Sequence, residues 1–325
     1  MNKKEVIVSG IRASGKLHVG NYLGALKQFV ELQDEGHECF FFIADLHALT
    51  TDFEPKQLRQ DTLEVVAEYI ACGLNPEKVT LFLQSQVSEH AELAWIFGAG
   101  TSIGELERMT QFKEKSSEQK QNTNSGLLTY PVLMASDILL YKPTVVPVGD
   151  DQTQHLELTR MIARKFNNKF GNTFPEPKNY MLKPLRVMSL VHPEKKMSKT
   201  GDEPLMLADS PKEIARKLKK AVTATDGRNK SAGVDNLLLL LRHFGTKEQI
   251  QYFEDAIADN TIKYSELKDT LAKNISEHFA NFREKKKDLL GDPQALAETL
   301  AQGAQKAKKV ASETLTEVKQ KIGLL

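Results

Sequence analysis

The chain has 325 residues, 40% hydrophobic and 27% charged, enough for one large domain or a core of about 150 to 200 residues with a smaller unit. That composition reads as an ordinary globular protein and excludes a disordered, fibrous or membrane class, since no run approaches the ~18 apolar residues of a membrane span. With 44 Lys+Arg against 43 Asp+Glu the net charge is +1, so any polyanion has to be met by a local patch rather than by the overall field.

In chain order, Met1 to Glu5 is charged and leads straight into Val6-Ile7-Val8, without the apolar stretch of a signal peptide. Cys39 and Cys72 sit in apolar surroundings without Cys-x-x-Cys spacing, which speaks against zinc knuckles and a disulfide framework. Both points place the chain in the cytoplasm. Short β-branched or aromatic runs (Val6 to Val8, Cys39 to Ile43, Val79 to Leu83, Thr144 to Val148) recur before helical stretches, the pattern of parallel strands joined by crossover helices. The first crossover helix is predicted from near Gly20 to Gly36, and another from about Leu58 to Gly73. From about Pro204 the strand signal fades into helical runs: Ile214 to Val222, Val234 to Leu241 and Leu267 to Phe282. The expected organisation is an α/β, Rossmann-like nucleotide-binding parallel sheet over 1–203, a smaller all-α domain over 204–300, and a terminal helix over 301–325. On that helix Ala304, Ala307, Ala311, Leu315 and Val318 form one weakly apolar face suited to packing back on the body.

The chemistry concentrates in three segments. Gly10-Ile-Arg-Ala-Ser-Gly15-Lys16-Leu17-His18-Val19-Gly20-Asn21 follows the first strand and opens a helix, where a parallel sheet binds nucleotides. Gly10 to Lys16 fills seven places of a P-loop, but Leu17 stands where a Ser or Thr hydroxyl should meet magnesium, and Gly-x-Gly-x-x-Gly is absent. A P-loop NTPase and a dinucleotide dehydrogenase are therefore disfavoured. His18 at the helix start is suited to donating to phosphate oxygens, though a lone His there is more often a cap. The second segment, Lys195-Lys196-Met197-Ser198-Lys199-Thr200-Gly201, gathers ammonium groups that can stabilise departing pyrophosphate; alone it reads as a solvated surface. The third runs from Gly126 to Tyr141 and on through Val146 to Arg160. In it Asp137 interrupts an apolar helical stretch, so its carboxylate needs a donor. A substrate indole N–H meets that need, as do the backbone or neighbouring Tyr and Lys side chains.

Together the His18 and lysine segments resemble the two signatures of class I aminoacyl-tRNA synthetases, His-Ile-Gly-His and Lys-Met-Ser-Lys-Ser. With Ser9 to Leu26, Gly104 to Ser116, both halves of the third segment and Gly233-Val-Asp-Asn-Leu-Leu, the whole chain resembles the bacterial-type tryptophanyl-tRNA synthetases. The resemblance implies tryptophan activation by ATP to tryptophanyl-adenylate, transfer to the 3' end of tRNA(Trp), magnesium accompanying ATP, no metal ligands on the protein, and a homodimer. It assigns tryptophan to Asp137, Tyr130, Met134, Ile138, His47 and Gln152. ATP falls to Gly20, Asn21, Gly149, Asp151, Gln152, Lys196, Met197, Ser198 and Lys199, joined by Arg12, Ser14, His18 and Asp150 of the same motifs. Lys115, Lys196 and Lys199 are the catalytic cations. Arg216, Lys217 and Arg242 are candidate tRNA phosphate contacts. Arg12-Ala13 departs from the more frequent Gln-Pro, Thr200 stands for the last Ser, and Asp150 stands for Glu. The competing readings are a tyrosine-tRNA ligase of the same subclass and a non-catalytic synthetase-like RNA-binding protein, whose mark would be loss of the lysines.

Overall fold

The computed structural model describes residues 4–13, 15–113, 124–149, 152–181, 185–198, 203–223 and 231–325. Five strands, β1 (Val6–Arg12), β2 (Glu38–Ala44), β3 (Thr80–Leu83), β4 (Val145–Val148) and β5 (Lys178–Met181), form one parallel sheet in the order β3-β2-β1-β4-β5. Register runs from Val6 against Glu38 to Arg12 against Ala44 in the central pair, with Ile7 against Val145 on the other side of β1. The four strands predicted from apolar runs are present; β5 was not predicted, because Lys178-Asn-Tyr-Met has no such run. Alternate residues of β1 and β2 enter two separate cores: Ile7, Phe41 and Ile43 one, Val8, Phe40 and Phe42 the other. Each fully buried Phe or Ile contributes about 1.5–3 kcal/mol. Burial on both faces is what an all-parallel sheet requires.

The crossover from β1 begins at α1 (Val19–Asn21), passes through a π-helical turn at Tyr22–Leu26 and continues as α2 (Lys27–Asp34). Gly36 follows at φ +82, the left-handed conformation that ends helices. Next come α3 (Asp45–Ala48), α4 (Pro55–Ala71), α5 (Glu89–Gly100), α6 (Ile103–Glu107), α7 (Ser125–Leu139) and α8 (Thr153–Phe170). Beyond β5 the described elements are helical: α9 (Pro211–Lys219), α10 (Ala232–Phe244), α11 (Lys247–Ala258), α12 (Tyr264–His278), α13 (Ala280–Gly291) and α14 (Pro293–Ile322). The single helix predicted over Leu267 to Phe282 is instead α12 and α13. They part at Phe279, which is buried edge-on to Tyr22, His278 and Phe282.

α14 lies over β3, the sheet's outer strand, with Ala304, Ala307, Ala311, Leu315 and Val318 buried. Gly303 comes so close that a Cβ there would stand 1.9 Å from the Leu81 carbonyl oxygen. Covering an edge strand in this way removes a template for aberrant pairing. Among the described residues no helix is long and apolar enough to cross a membrane.

Candidate active site

Open parallel sheets bind ligands beyond the carboxyl ends of the strands where strand order reverses, here between β1 and β4. A cavity of about 420 Å³ lies there, within the size range of small-molecule sites. Gly10 and Arg12 of β1, His47 of α3, Tyr130, Met134, Asp137 and Ile138 of α7, and Gly149 and Gln152 after β4 line it. Gly10 has a packing reason to be glycine: a Cβ would meet the Phe42 ring at 2.7 Å. All six residues predicted to hold the amino acid thus share one cavity.

Asp137 is the charge at its base, 1% exposed. Its Oδ1 accepts from Gln84 Nε2 at 2.7 Å and from His90 Nδ1 at 2.6 Å, while Oδ2 lies 2.7 Å from His47 Nε2. Burial pushes this carboxyl upward, but the hydrogen bonds and charges of His47 and His90 outweigh it and hold it at about 2. An ionised carboxylate only accepts, so both imidazole nitrogens facing it carry protons. His90 Nε2 is 2.8 Å from the Tyr141 hydroxyl. Burial, then the charge of Asp137, raises the Tyr141 pKa, so this hydroxyl stays protonated. Gln84 is fixed in turn by the Leu46 N–H, which donates to its Oε1 at 3.2 Å. A carboxylate offers about four acceptor positions, so these three donors leave one on Oδ2. The donors to Asp137 are therefore neither the backbone nor adjacent Tyr and Lys side chains. Across the cavity Tyr130 shares a 2.8 Å hydrogen bond with His155 Nε2, and burial, countered by Arg12, lifts its phenol to about 12.

Gln84, His90 and Tyr141 were not assigned from the sequence. A polar Gln closing the apolar run Val79 to Leu83 was the available signal for the first; nothing local marks His90, which reaches Asp137 only through tertiary packing.

The glycine-loop segment meets, through its backbone, the stretch that follows the lysine segment. Val19 N–H donates to Leu205 O at 2.8 Å and Leu207 N–H to Leu17 O at 3.0 Å. Asn21 Oδ1 accepts from His18 N–H at 3.1 Å, and Gly20 leaves room for the His18 ring, 3.0 Å from where a Cβ would stand. Lys196 pairs with Met188 as an isolated antiparallel bridge. Asn236 of α10 clasps the Met188 peptide, accepting from its N–H and donating to its C=O, both at 2.9 Å. Lys196, Met197 and Ser198 line a separate hollow of about 180 Å³ with Ser189, His192, Lys195 and Pro204, and none of them lines the Asp137 cavity. Ser14, Lys115, Asp150, Asp151 and Lys199 lie outside the described residues.

One expected tRNA contact is corrected. Lys217 is buried, with Nζ 2.7 Å from Asp209 Oδ2 and 2.8 Å from Pro204 O, so it serves the fold. Arg216 and Arg242 are exposed, paired with Glu203 and Glu254.

The chain matches the family model described as tRNA synthetases class I (W and Y) over residues 1–289. It is similar to the tryptophan–tRNA ligase of Caldanaerobacter subterraneus subsp. tengcongensis, 46% identical over 328 residues that cover 98% of each chain. The tryptophan–tRNA ligase of Clostridium tetani is 45% identical over 332 residues, 100% of this chain and 97% of that one. Among solved structures, tryptophanyl-tRNA synthetase from Campylobacter jejuni complexed with ADP and tryptophan superposes with a TM-score of 0.88 at 34% identity, covering 98% of this chain and 99% of that one.

Proposed function

Because the chain belongs to the class I tRNA synthetases of the tryptophan and tyrosine family, we propose that the cavity around Asp137 is its amino-acid pocket. The activity is that of an ATP-using tryptophan–tRNA ligase. The tryptophan carboxylate attacks the α-phosphate of ATP, forming tryptophanyl-adenylate and releasing pyrophosphate; the adenylate then acylates the terminal ribose of the tRNA. No side-chain nucleophile is needed, so catalysis is positioning plus charge stabilisation.

The observation that carries this reading is the ionised Asp137, buried at a cavity wall with three donors on two oxygens. Its remaining acceptor position takes the indole N–H, with Met134 and Ile138 against the ring and Tyr130, His47 and Gln152 completing the pocket. Arg12, at the end of β1, places a guanidinium beside the reacting carboxylate and phosphate. His18, Gly20, Asn21 and Gly149 receive ATP together with Ser14, Asp150 and Asp151. Magnesium enters with the triphosphate as part of the substrate. Lys196, Met197 and Ser198 close on the phosphates, and Lys115, Lys196 and Lys199 balance the charge developing on the leaving pyrophosphate.

We assign 1–203 to catalysis and 204–300 to the tRNA anticodon, where Arg216 and Arg242 supply exposed cations; 301–325 belongs to the helix covering β3. A homodimer is supported by the exposed apolar side chains Trp95 of α5, 80% exposed, and Leu324, which line one surface cavity of about 590 Å³. Large exposed apolar patches mark association surfaces. tRNA charging places the chain in the cytoplasm.

ATP–pyrophosphate exchange with each of the twenty amino acids in turn, with magnesium and without tRNA, tests the reading. Exchange with tryptophan alone is expected. Exchange with tyrosine instead would make it a tyrosine ligase, and none with any amino acid would favour the non-catalytic RNA-binding reading.

A further inference from the structure

A buried ion pair ties together parts of the chain that the chemistry above leaves unused. Glu68 of α4 is 0% exposed and Lys286 of α13 is 8% exposed. Lys286 Nζ lies 2.7 Å from Glu68 Oε1 and 3.5 Å from Glu64 Oε2. The other oxygen of Glu68 accepts the Leu17 N–H at 2.8 Å, immediately before His18. One carboxylate thus spans from a helix of the C-terminal region to the turn that opens the first crossover.

Stability is a poor reason to keep such a pair. Buried ion pairs are often replaced by apolar residues of similar volume at no loss, because desolvation offsets the attraction. Burial indeed drives Glu68 above the ordinary carboxylate range, and Lys286 and the Leu17 N–H draw it back only in part. The geometric consequence is more specific. The Leu17 C=O accepts from Leu207 N–H at 3.0 Å and Val19 N–H donates to Leu205 O at 2.8 Å, so the segment after the lysine motif fixes one side of the turn. The Leu17 N–H, on the other side, is fixed by the Glu68 side chain. Removing that acceptor leaves a buried donor to find another partner, and the turn shifts to do so.

We propose that Glu68 is a positioning residue for ATP: by holding the Leu17 peptide it sets where His18, Gly20 and Asn21 stand, and Lys286 keeps Glu68 in place from α13. The inference rests on reading His18 to Asn21 as ATP-binding.

Two charge-free double variants of the full chain separate anchoring from packing. Glu68→Gln with Lys286→Met keeps a carbonyl oxygen for the Leu17 N–H; Glu68→Leu with Lys286→Met fills the same space without one. In tryptophan-dependent pyrophosphate exchange, the leucine pair is expected to raise KM for ATP about tenfold, the scale of one buried hydrogen bond. KM for tryptophan and kcat should stay within about twofold. The glutamine pair is expected to return KM for ATP to within about threefold of the parent. Melting temperatures check that both proteins are folded. Should the leucine pair not fold, Glu68→Asp carries the same test: it retracts the acceptor by one methylene while keeping the charge, and it too should raise KM for ATP selectively. Parental ATP KM in the leucine pair or in Glu68→Asp, or equal rises in the ATP and tryptophan KM values, would overturn the proposal. Absence of tryptophan-dependent exchange in the unmutated chain would instead overturn the reading beneath it.

Discussion

Asp137 is buried and takes three hydrogen bonds from side chains on three different segments, whereas Lys196 is exposed on a segment held by its own backbone. Around Asp137 the donors are in place before any substrate arrives, so the cost of ordering them is met by folding. Around Lys196 the peptide is held, by Met197 N–H on Val187 O at 3.0 Å and by the Asn236 clasp on Met188, while the ammonium stays in solvent. Recognition of the amino acid needs a preformed geometry. Stabilising a leaving polyanion needs charge that can be delivered to it, and a solvated ammonium retains that freedom.

If that contrast holds, substitutions in the two regions should move different kinetic constants. The largest effect is expected for Asp137→Ala, which removes the acceptor and leaves three donors, two of them buried, without it: kcat/KM for tryptophan should fall about 10³-fold or more in pyrophosphate exchange. A loss below tenfold would mean that selectivity arises elsewhere. Next is Lys196→Ala, for which kcat should fall about 10²-fold while KM for tryptophan stays nearly constant; a matching rise in that KM would erase the distinction between the regions. His90→Phe keeps an aromatic ring but deletes the donor to Asp137 and the partner of Tyr141. It should raise KM for tryptophan about tenfold and destabilise the chain by about 1–3 kcal/mol, read from kinetics and thermal melting together.

The smallest effect expected is that of pH. Asp137 is held at about 2, below its ordinary 3.8, so its contribution to stability is complete above the ordinary value and fades as pH falls through the folded one. KM for tryptophan should therefore show no inflection near about 4, the ordinary carboxylate range, over whatever acid range the chain stays folded. An inflection there would show that the histidine donors do not hold the carboxylate ionised.

The sequence made some of this legible and hid the rest for identifiable reasons. Strands β1 to β4 are apolar runs buried on two faces and stand out as such; β5 is short and polar, its pairing with β4 supplied by the neighbour. Asp137 is visible because a charge in an apolar helix is anomalous. Its donors are not, since Gln84 and His90 are ordinary in their own segments and become partners only when α5 and the turn after β3 come up against α7. Lys217, a surface cation by its neighbours, is buried because Asp209 and Pro204 fold back beneath it. The 218-residue separation of Lys286 and Glu68 puts their pairing beyond any local pattern. Phe279 reads as one more apolar position in a helix, yet its ring cluster divides that helix in two.

Selection of the substrate by Asp137 through the indole N–H is measured by comparing tryptophan with its benzothienyl analogue, in which sulfur replaces that N–H, as substrates for pyrophosphate exchange in the parent chain and in Asp137→Ala. The parent should prefer tryptophan by at least about 10²-fold in kcat/KM, and the preference should collapse toward unity in the variant. Equal use of both by the parent, or a preference that survives the substitution, would contradict that selection.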